Sequence, residues 1–269
     1  MEKVGDGFVE LVDYMPSKII DAERRIVEAA RTSTDKDKRN DRLEPGDKGL
    51  INFLWRNEHM TPFEMCVVQF VVKCPIFVAR QWMRHRTGSF NEQSGRYSVM
   101  KDDFYIPEEV RMQHKVHKQM SDPGIVADED LSADFYRYLE QSEALYEKYQ
   151  DLVNRGVAKE IARIGLPVSL YTRFMWTVNL RNLMHFLELR MAEDAQPEIR
   201  DFANAIYRLI KPIFPVACGA FEDSLNSITL TASELAFIHK HYKLTIDASE
   251  DVPNNTMRLE IDRKLGKMM

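Results

Sequence analysis

The sequence predicts a single α+β domain, and three observations carry that reading. Strand-like segments are few and scattered among helical ones, rather than alternating with them as in a βαβ array. No internal repeat, low-complexity tract or linker divides the 269 residues. Hydrophobic residues make up 44% and charged residues 29%, the balance of a globular chain that can bury a sizeable core without disulfides.

The elements follow from pattern and punctuation. Phe8 to Tyr14 is rich in Val and Phe and alternates loosely, so it reads as a first strand, broken by Met15-Pro16-Ser17. Ile19 to Arg31 places Ile19, Ile20, Ala22, Ile26, Val27 and Ala30 at helical spacing. Thr32 to Lys48 is polar and turn-rich, a loop, and Asp47 is placed to cap a short helix holding Leu50, Ile51, Phe53, Leu54 and Trp55. Val67 to Val72 is a short β-branched run and reads as a buried strand. Pro75 suits the first turn of a helix from about Ile76 to His85.

Asp102 to Asp130 lacks a sustained period and reads as a loop with some helix from Glu108 to Met120. Ser132 opens a long amphipathic helix that Gly156 ends. Lys159 to Ile164 is a short helix. Leu170, Thr172, Phe174, Trp176 and Val178 share one face of a strand. Asn179 caps the helix that runs to Met191, and Pro197 opens another. The last forty or so residues are weakly periodic, with a capping box at Thr231-Ala232-Ser233-Glu234.

Three cysteines, Cys66, Cys74 and Cys218, lie in apolar runs without Cys-x-x-Cys spacing. They read as small buried hydrophobes rather than as a disulfide framework, a zinc site or a nucleophile. No secretory h-region follows the N-terminus and no window approaches a membrane span, so the expectation is cytoplasmic, with no membrane partner. No metal site is expected, because His114 and His117 at i, i+3 have no acidic or cysteine partner placed to complete one.

The chemistry concentrates in Arg84-His85-Arg86 and, eight positions after Arg86, Ser94-Gly95-Arg96-Tyr97. The chain carries a formal net charge of -5, so a local knot of guanidinium groups points to a small anion rather than a bulk polyanion. Glycine-rich phosphate loops are absent; arginine forks, which bind phosphate bidentately and keep their charge, would have to replace them. Ser94-Gly95-Arg96 is either an oxyanion cradle or an ordinary turn. Glu92 is either a ligand contact or a surface carboxylate. His85, flanked by two arginines, should resist protonation. Arg181 and Arg190 share one helix about 180° apart, so they cannot face one ligand directly. His185 shares a face with Arg181. A lone His59 before a turn is ambiguous by itself.

Together these segments resemble the flavin-dependent thymidylate synthases. The resemblance rests on Arg84-His85-Arg86, seven residues, then Ser94-Gly95-Arg96-Tyr97. It extends to His59-Met60-Thr61-Pro62-Phe63-Glu64, Pro75 to Trp82, Phe104-Tyr105-Ile106-Pro107, Ala162 to Pro167 and Leu170 to Asn179. It implies the thymidylate synthase-complementing fold, a mostly antiparallel sheet flanked by helices. The catalytic domain would span residues 1–221, with 222–269 as a C-terminal extension.

By the same resemblance, the activity is methylation of dUMP to dTMP with 5,10-methylenetetrahydrofolate, FAD and NADPH, in a homotetramer with sites between subunits. Thr61, Arg84, His85, Arg86, Glu92, Asn179, Arg181 and His185 match flavin-binding positions. Gln81, Trp82, Met83 and Arg84, then Glu92, Gln93, Ser94, Gly95 and Arg96, and also Arg163, match dUMP-binding positions. Arg190 matches the arginine that activates the uracil ring, and His59 a residue near the flavin and folate. His185 stands where some members carry Asn, and Asp194 where others carry His.

Two rival readings remain at this point. A nucleic-acid-binding module would use the interleaved Arg84, Arg86, Arg96, Phe90 and Tyr97, but the net charge and the lack of a basic stripe speak against it. An NADPH-dependent flavoprotein reductase would keep the flavin contacts without needing Arg190 or Ser94–Arg96.

Overall fold

The computed structural model describes residues 1–33, 40–227 and 229–241. The chain divides into two compact units, Met1–Leu225 and Asn226–Met269. The first is built on a five-stranded sheet. Its strands are β1 (Glu2–Val4), β2 (Gly7–Met15), β3 (Val67–Pro75), β4 (Ser89–Glu92) and, after the hairpin strands β5 (Arg111–Gln113) and β6 (Ser121–Ile125), β7 (Tyr171–Asn179). Their order is β1-β2-β3-β7-β4, every pair antiparallel.

β3 and β7 form the spine, paired without interruption from Val67↔Asn179 to Pro75↔Tyr171. Their alternation puts Val68, Phe70, Val72 and Cys74 on the core face beside Thr172, Phe174, Trp176 and Val178, all buried. Helices α1 (Arg24–Thr32), α2 (Asp47–Arg56), α3 (Ile76–Trp82), α6 (Leu180–Met191), α7 (Pro197–Ile210) and α8 (Pro215–Leu225) supply the other side of this core. At its centre Trp82 packs edge-on to Phe174 and Trp176 and lies 4.9 Å from the Phe186 ring. A smaller cluster of Met100, Tyr146, Tyr149, Ala162 and Leu170 holds the long α4 (Glu129–Asn154) and the short α5 (Lys159–Ala162).

Several expectations need correcting. Glu108 to Met120 is not helical: Arg111–Gln113 pairs with Ser121–Ile125 as the β5–β6 hairpin. No apolar stripe favours a helix there, and Arg111 is anchored to Glu198 at 2.5 Å. The first helix begins at Arg24 rather than Ile19, which leaves Ile20 exposed. Asp47 is not a cap but a buried carboxylate 2.6 Å from both Arg24 and Arg31. Asp128, not Ser132, caps α4 through Leu131 N–H at 3.0 Å.

Helix α3 stops at Trp82, so Arg84-His85-Arg86 lies in the turn beyond it, and Pro75 ends β3 instead of entering the helix. The expected break at 221/222 falls inside α8. Strand β4 and helix α8 have no counterpart in the sequence pattern. In the second unit α9 (Ala232–His241) carries the expected capping box, with Thr231 N–H donating to Glu234 Oε2 at 2.8 Å. Residues 34–39 of the expected loop, and 228 and 242–269 of the extension, lie outside the described residues. Among the described residues no helix is long and apolar enough to cross a membrane.

Candidate active site

The site begins where two elements end. α3 leaves the sheet after Pro75 and runs only to Trp82, whose indole is wholly buried. Trp82 can therefore meet a ligand only through its backbone. The next turn, closed by His85 N–H to Trp82 O at 3.0 Å, lifts Arg84 and Arg86 into solvent and leaves His85 half-buried.

From the other side comes α6, capped by the Asn179 side chain accepting from Asn182 N–H at 2.9 Å. Its last turn brings Arg190 to the same place, and Arg190 Nε donates to His85 Nε2 at 3.1 Å. An imidazole nitrogen that accepts is unprotonated, so the His85 proton sits on Nδ1. Burial, then Arg190, then His185 push the His85 pKa down to about 4. The expected resistance to protonation is present, but its causes are these and not Arg84 and Arg86. Burial also lowers the Arg190 pKa, which Asp194 opposes. No ion pair forms between Arg190 and Asp194 among the described residues.

Part of the expected flavin set forms a band around α6 within the chain. Thr61 opens a 3-10 turn, Thr61–Met65, that is tied to α6 by Leu180 N–H to Cys66 O at 2.8 Å and by Arg181 to Glu64 at 2.5 Å. His185 follows one turn on, exposed and bound to Glu188 at 3.3 Å, and its ring is 6.2 Å from that of His85. Thr61, Asn179, Arg181 and His185 are thus linked through the start of α6, and His85 meets both His185 and, from the other side of the helix, Arg190. His59 precedes this band, exposed, edge-on to Phe53.

Glu92 through Arg96 gather elsewhere, around the start of β7. Glu92 Oε1 accepts from Thr172 Oγ1 at 2.6 Å, and Gln93 N–H donates to Arg173 O at 2.8 Å. Gly95 is packed so closely that an added Cβ would lie 2.9 Å from Arg163 Cδ and 3.0 Å from Met100 Sδ. Arg96 pairs with Glu160 at 2.9 Å, and its N–H turns back to Ser94 Oγ at 3.2 Å.

Ser94, Gly95, Arg96 and Arg163 are thus neighbours, as one anion site requires. No hydrogen bond or ion pair joins this group to the His85–Arg190 group among the described residues. Arg84, Arg86 and Arg163 are exposed and make no ion pair among the described residues. Three open guanidinium groups in an acidic chain suit phosphate-bearing ligands.

Cysteine chemistry is disfavoured. All three thiols are buried, and burial pushes Cys66 and Cys218 up to about 12 and Cys74 higher still. Sequence reasoning missed the partners of the expected ligand-binding side chains: Thr172 on Glu92, Glu64 on Arg181, Glu160 on Arg96, and Gln196, whose Oε1 accepts from Gln81 Nε2 at 2.5 Å. Each partner is distant in sequence, so no local pattern marks it.

The family and the fold are shown by similarity to known proteins. The family model described as thymidylate synthase complementing protein matches residues 10–216. A flavin-dependent thymidylate synthase of Dictyostelium discoideum is 44% identical over 243 residues, 88% of this chain and 78% of the relative. One from Thermus thermophilus is 48% identical over 219 residues, 81% of this chain and 77% of the relative. Among solved structures, the UMP/dUMP methylase PolB from Streptomyces cacaoi bound with 5-Br dUMP superposes with a TM-score of 0.71. It is 36% identical and covers 83% of this chain and 97% of its own. Fold, motif order and these relatives together place the chain in the thymidylate synthase complementing protein family.

Proposed function

We propose that the chain is a flavin-dependent thymidylate synthase that converts dUMP, 5,10-methylenetetrahydrofolate, NADPH and a proton into dTMP, tetrahydrofolate and NADP⁺, with FAD as cofactor. The observation that carries this is the contact between Arg190 and a neutral His85 at the Arg84–Arg86 turn. Uracil C5 must become nucleophilic to accept a methylene, so negative charge must spread over N3, C4 and O4. A guanidinium fixed in advance stabilises that charge without reorganising. His85 takes one N–H of Arg190 and leaves the remaining donors for the pyrimidine.

The flavin supplies hydride chemistry, which removes any need for a cysteine nucleophile. Thr61, Arg84, His85, Arg86, Asn179, Arg181 and His185 would hold it, with arginines toward its diphosphate. Glu92 would reach either ligand, while Gln81, Met83, Gln93, Ser94, Gly95, Arg96 and Arg163 would hold the nucleotide. His59 would border the flavin and folate.

The separation of the Glu92–Arg96 group from the His85–Arg190 group supports a site assembled from several subunits of a homotetramer. Tyr97 and Ile164, 78% and 75% exposed beside the nucleotide group, are suited to cover by a second copy. A cytoplasmic location accords with substrates drawn from nucleotide and folate pools.

The test is anaerobic turnover of flavin-loaded protein with dUMP, NADPH and methylenetetrahydrofolate, following dTMP. Formation of dTMP in step with NADPH oxidation is expected. NADPH oxidation without dTMP would overturn the proposal in favour of a flavoprotein reductase.

A further inference from the structure

After β4 the chain folds into a tight turn. Tyr97 N–H and Ser98 N–H both donate to Ser94 O at 3.2 Å, and Arg96 N–H donates to Ser94 Oγ at 3.2 Å. The Tyr97 carbonyl is held from outside the turn, by Lys159 Nζ at 3.1 Å.

Lys159 opens α5, which runs directly into a 3-10 turn at Arg163–Gly165. This short helical stretch grips the Ser94–Tyr97 turn at three points. Lys159 takes the Tyr97 carbonyl, Glu160 Oε2 accepts from Arg96 Nε at 2.9 Å, and the Arg163 stem lies against Gly95. Three cations, Arg96, Lys159 and Arg163, thus meet one carboxylate, Glu160, which is committed to Arg96. The carboxylate of the preceding strand, Glu92, accepts from Thr172 Oγ1 at 2.6 Å. Even with Glu92 counted, positive charge remains in excess.

Lys159 is half-buried and makes no ion pair among the described residues. Its ammonium carries three donors, of which the Tyr97 carbonyl accepts one. A partly desolvated ammonium with donors to spare and no carboxylate beside it is suited to an anion, as a compact point charge rather than a planar fork.

We propose that Lys159 is a further phosphate-binding residue of the nucleotide site, acting beside Arg96 and Arg163. The inference rests on the synthase reading, in which Ser94, Gly95, Arg96 and Arg163 hold dUMP. The phosphate is the charged part of that ligand, so it is the part that gathered cations attract. Arg96 gives Nε to Glu160 and keeps its terminal nitrogens for the same anion.

The test uses the flavin-loaded full chain and measures the Kd of dUMP by calorimetry, with flavin content, in three variants. Lys159→Met removes both donor and charge. Lys159→Gln keeps a donor for the Tyr97 carbonyl without the charge, and Lys159→Arg keeps both. Met and Gln should each weaken dUMP about tenfold at unchanged flavin content, one charge-assisted hydrogen bond's worth of affinity. Arg should recover most of that loss. Added salt should narrow the gap between wild type and the uncharged variants, because it screens the attraction they lack.

Unchanged affinity in Met, wild-type affinity in Gln, or a gap that salt leaves alone would each overturn the inference. Wild-type affinity in Gln alone would reduce Lys159 to a prop for the turn. Loss of flavin with dUMP affinity retained would assign the phosphate to the cofactor and overturn it as well. If Met does not fold at 159, Gln and Arg carry the same comparison. Absence of dUMP binding by wild type would instead sink the synthase reading itself.

Discussion

Arg190 Nε donates to His85 Nε2 at 3.1 Å, joining the last turn of α6 to the turn that follows α3. The imidazole is kept neutral chiefly by burial, with a pKa near 4 against an ordinary value of 6.5. Arg190→Ala is expected to retain flavin absorbance while dTMP formation falls about 10²- to 10³-fold, the effect of removing one group that stabilises transition-state charge. Loss of flavin instead would assign Arg190 to the cofactor.

The pH dependence of this pair has a definite sign. Because the folded pKa lies below the unfolded one, the unfolded chain binds the proton more readily, and stability from this group declines as pH falls from 6.5 toward 4. The Arg190–His85 bond therefore persists from about pH 5 to 8. An inflection of kcat/KM near 6.5, the ordinary histidine value, that disappears in His85→Gln would contradict it.

Thr172 is a buried hydroxyl on the core face of β7 and serves one purpose visible in the structure, holding Glu92 at 2.6 Å. Valine matches threonine in shape and removes only the donor. Thr172→Val should leave thermal stability within about 1 kcal/mol of wild type and raise KM for dUMP about five- to tenfold, with kcat less affected. An unchanged KM would show that Glu92 does not depend on this tether.

Gly88 and Gly95 separate folding from binding. A Cβ at Gly88 would sit 2.3 Å from Trp176 Nε1 and 3.1 Å from Thr177 O. The Trp176 ring is fully buried and cannot swing aside, so Gly88→Ala should destabilise by about 1–3 kcal/mol, seen as a fall in Tm. At Gly95 the obstructing atoms belong to Arg163 and Met100, long side chains that can move. Gly95→Ala should spare Tm but displace Arg163, weakening dUMP binding about tenfold or more. A Tm loss at Gly95 equal to that at Gly88 would refute the distinction.

The parts legible in the sequence were those with strong local signals. β3 and β7 showed through β-branched or alternating runs, α6 through Asn179, and α7 through Pro197 and its apolar stripe. β4 was not legible because Ser89–Glu92 is a four-residue polar edge whose only packed side chain is Phe90; its strand character comes from pairing with β7. The β5–β6 hairpin was masked by the same lack of period. Within the site, residue types were legible and their partners were not. The opposed faces of Arg181 and Arg190 followed from helical geometry, whereas the Arg190–His85 bond, across 105 residues, depends on how α3 and α6 terminate.

Glu23 carries a final prediction, distant from the ligands. Its side chain is 1% exposed and Oε1 accepts from Ala217 N–H at 2.6 Å, closing the first turn of α8. Burial pushes its pKa up to about 7, opposed by the backbone amides of Ala217 and Val216. The folded chain therefore keeps a proton that the unfolded chain releases above about 4.5. Its contribution is complete below that value and declines as pH rises to about 7, by up to about 1.4 kcal/mol per pH unit. Glu23→Gln keeps an acceptor for Ala217 and removes the titration. Urea unfolding at about pH 5 should differ little between wild type and variant, and the variant should be the more stable at about pH 8. A constant difference across that range would mean that Glu23 does not change its charge on folding.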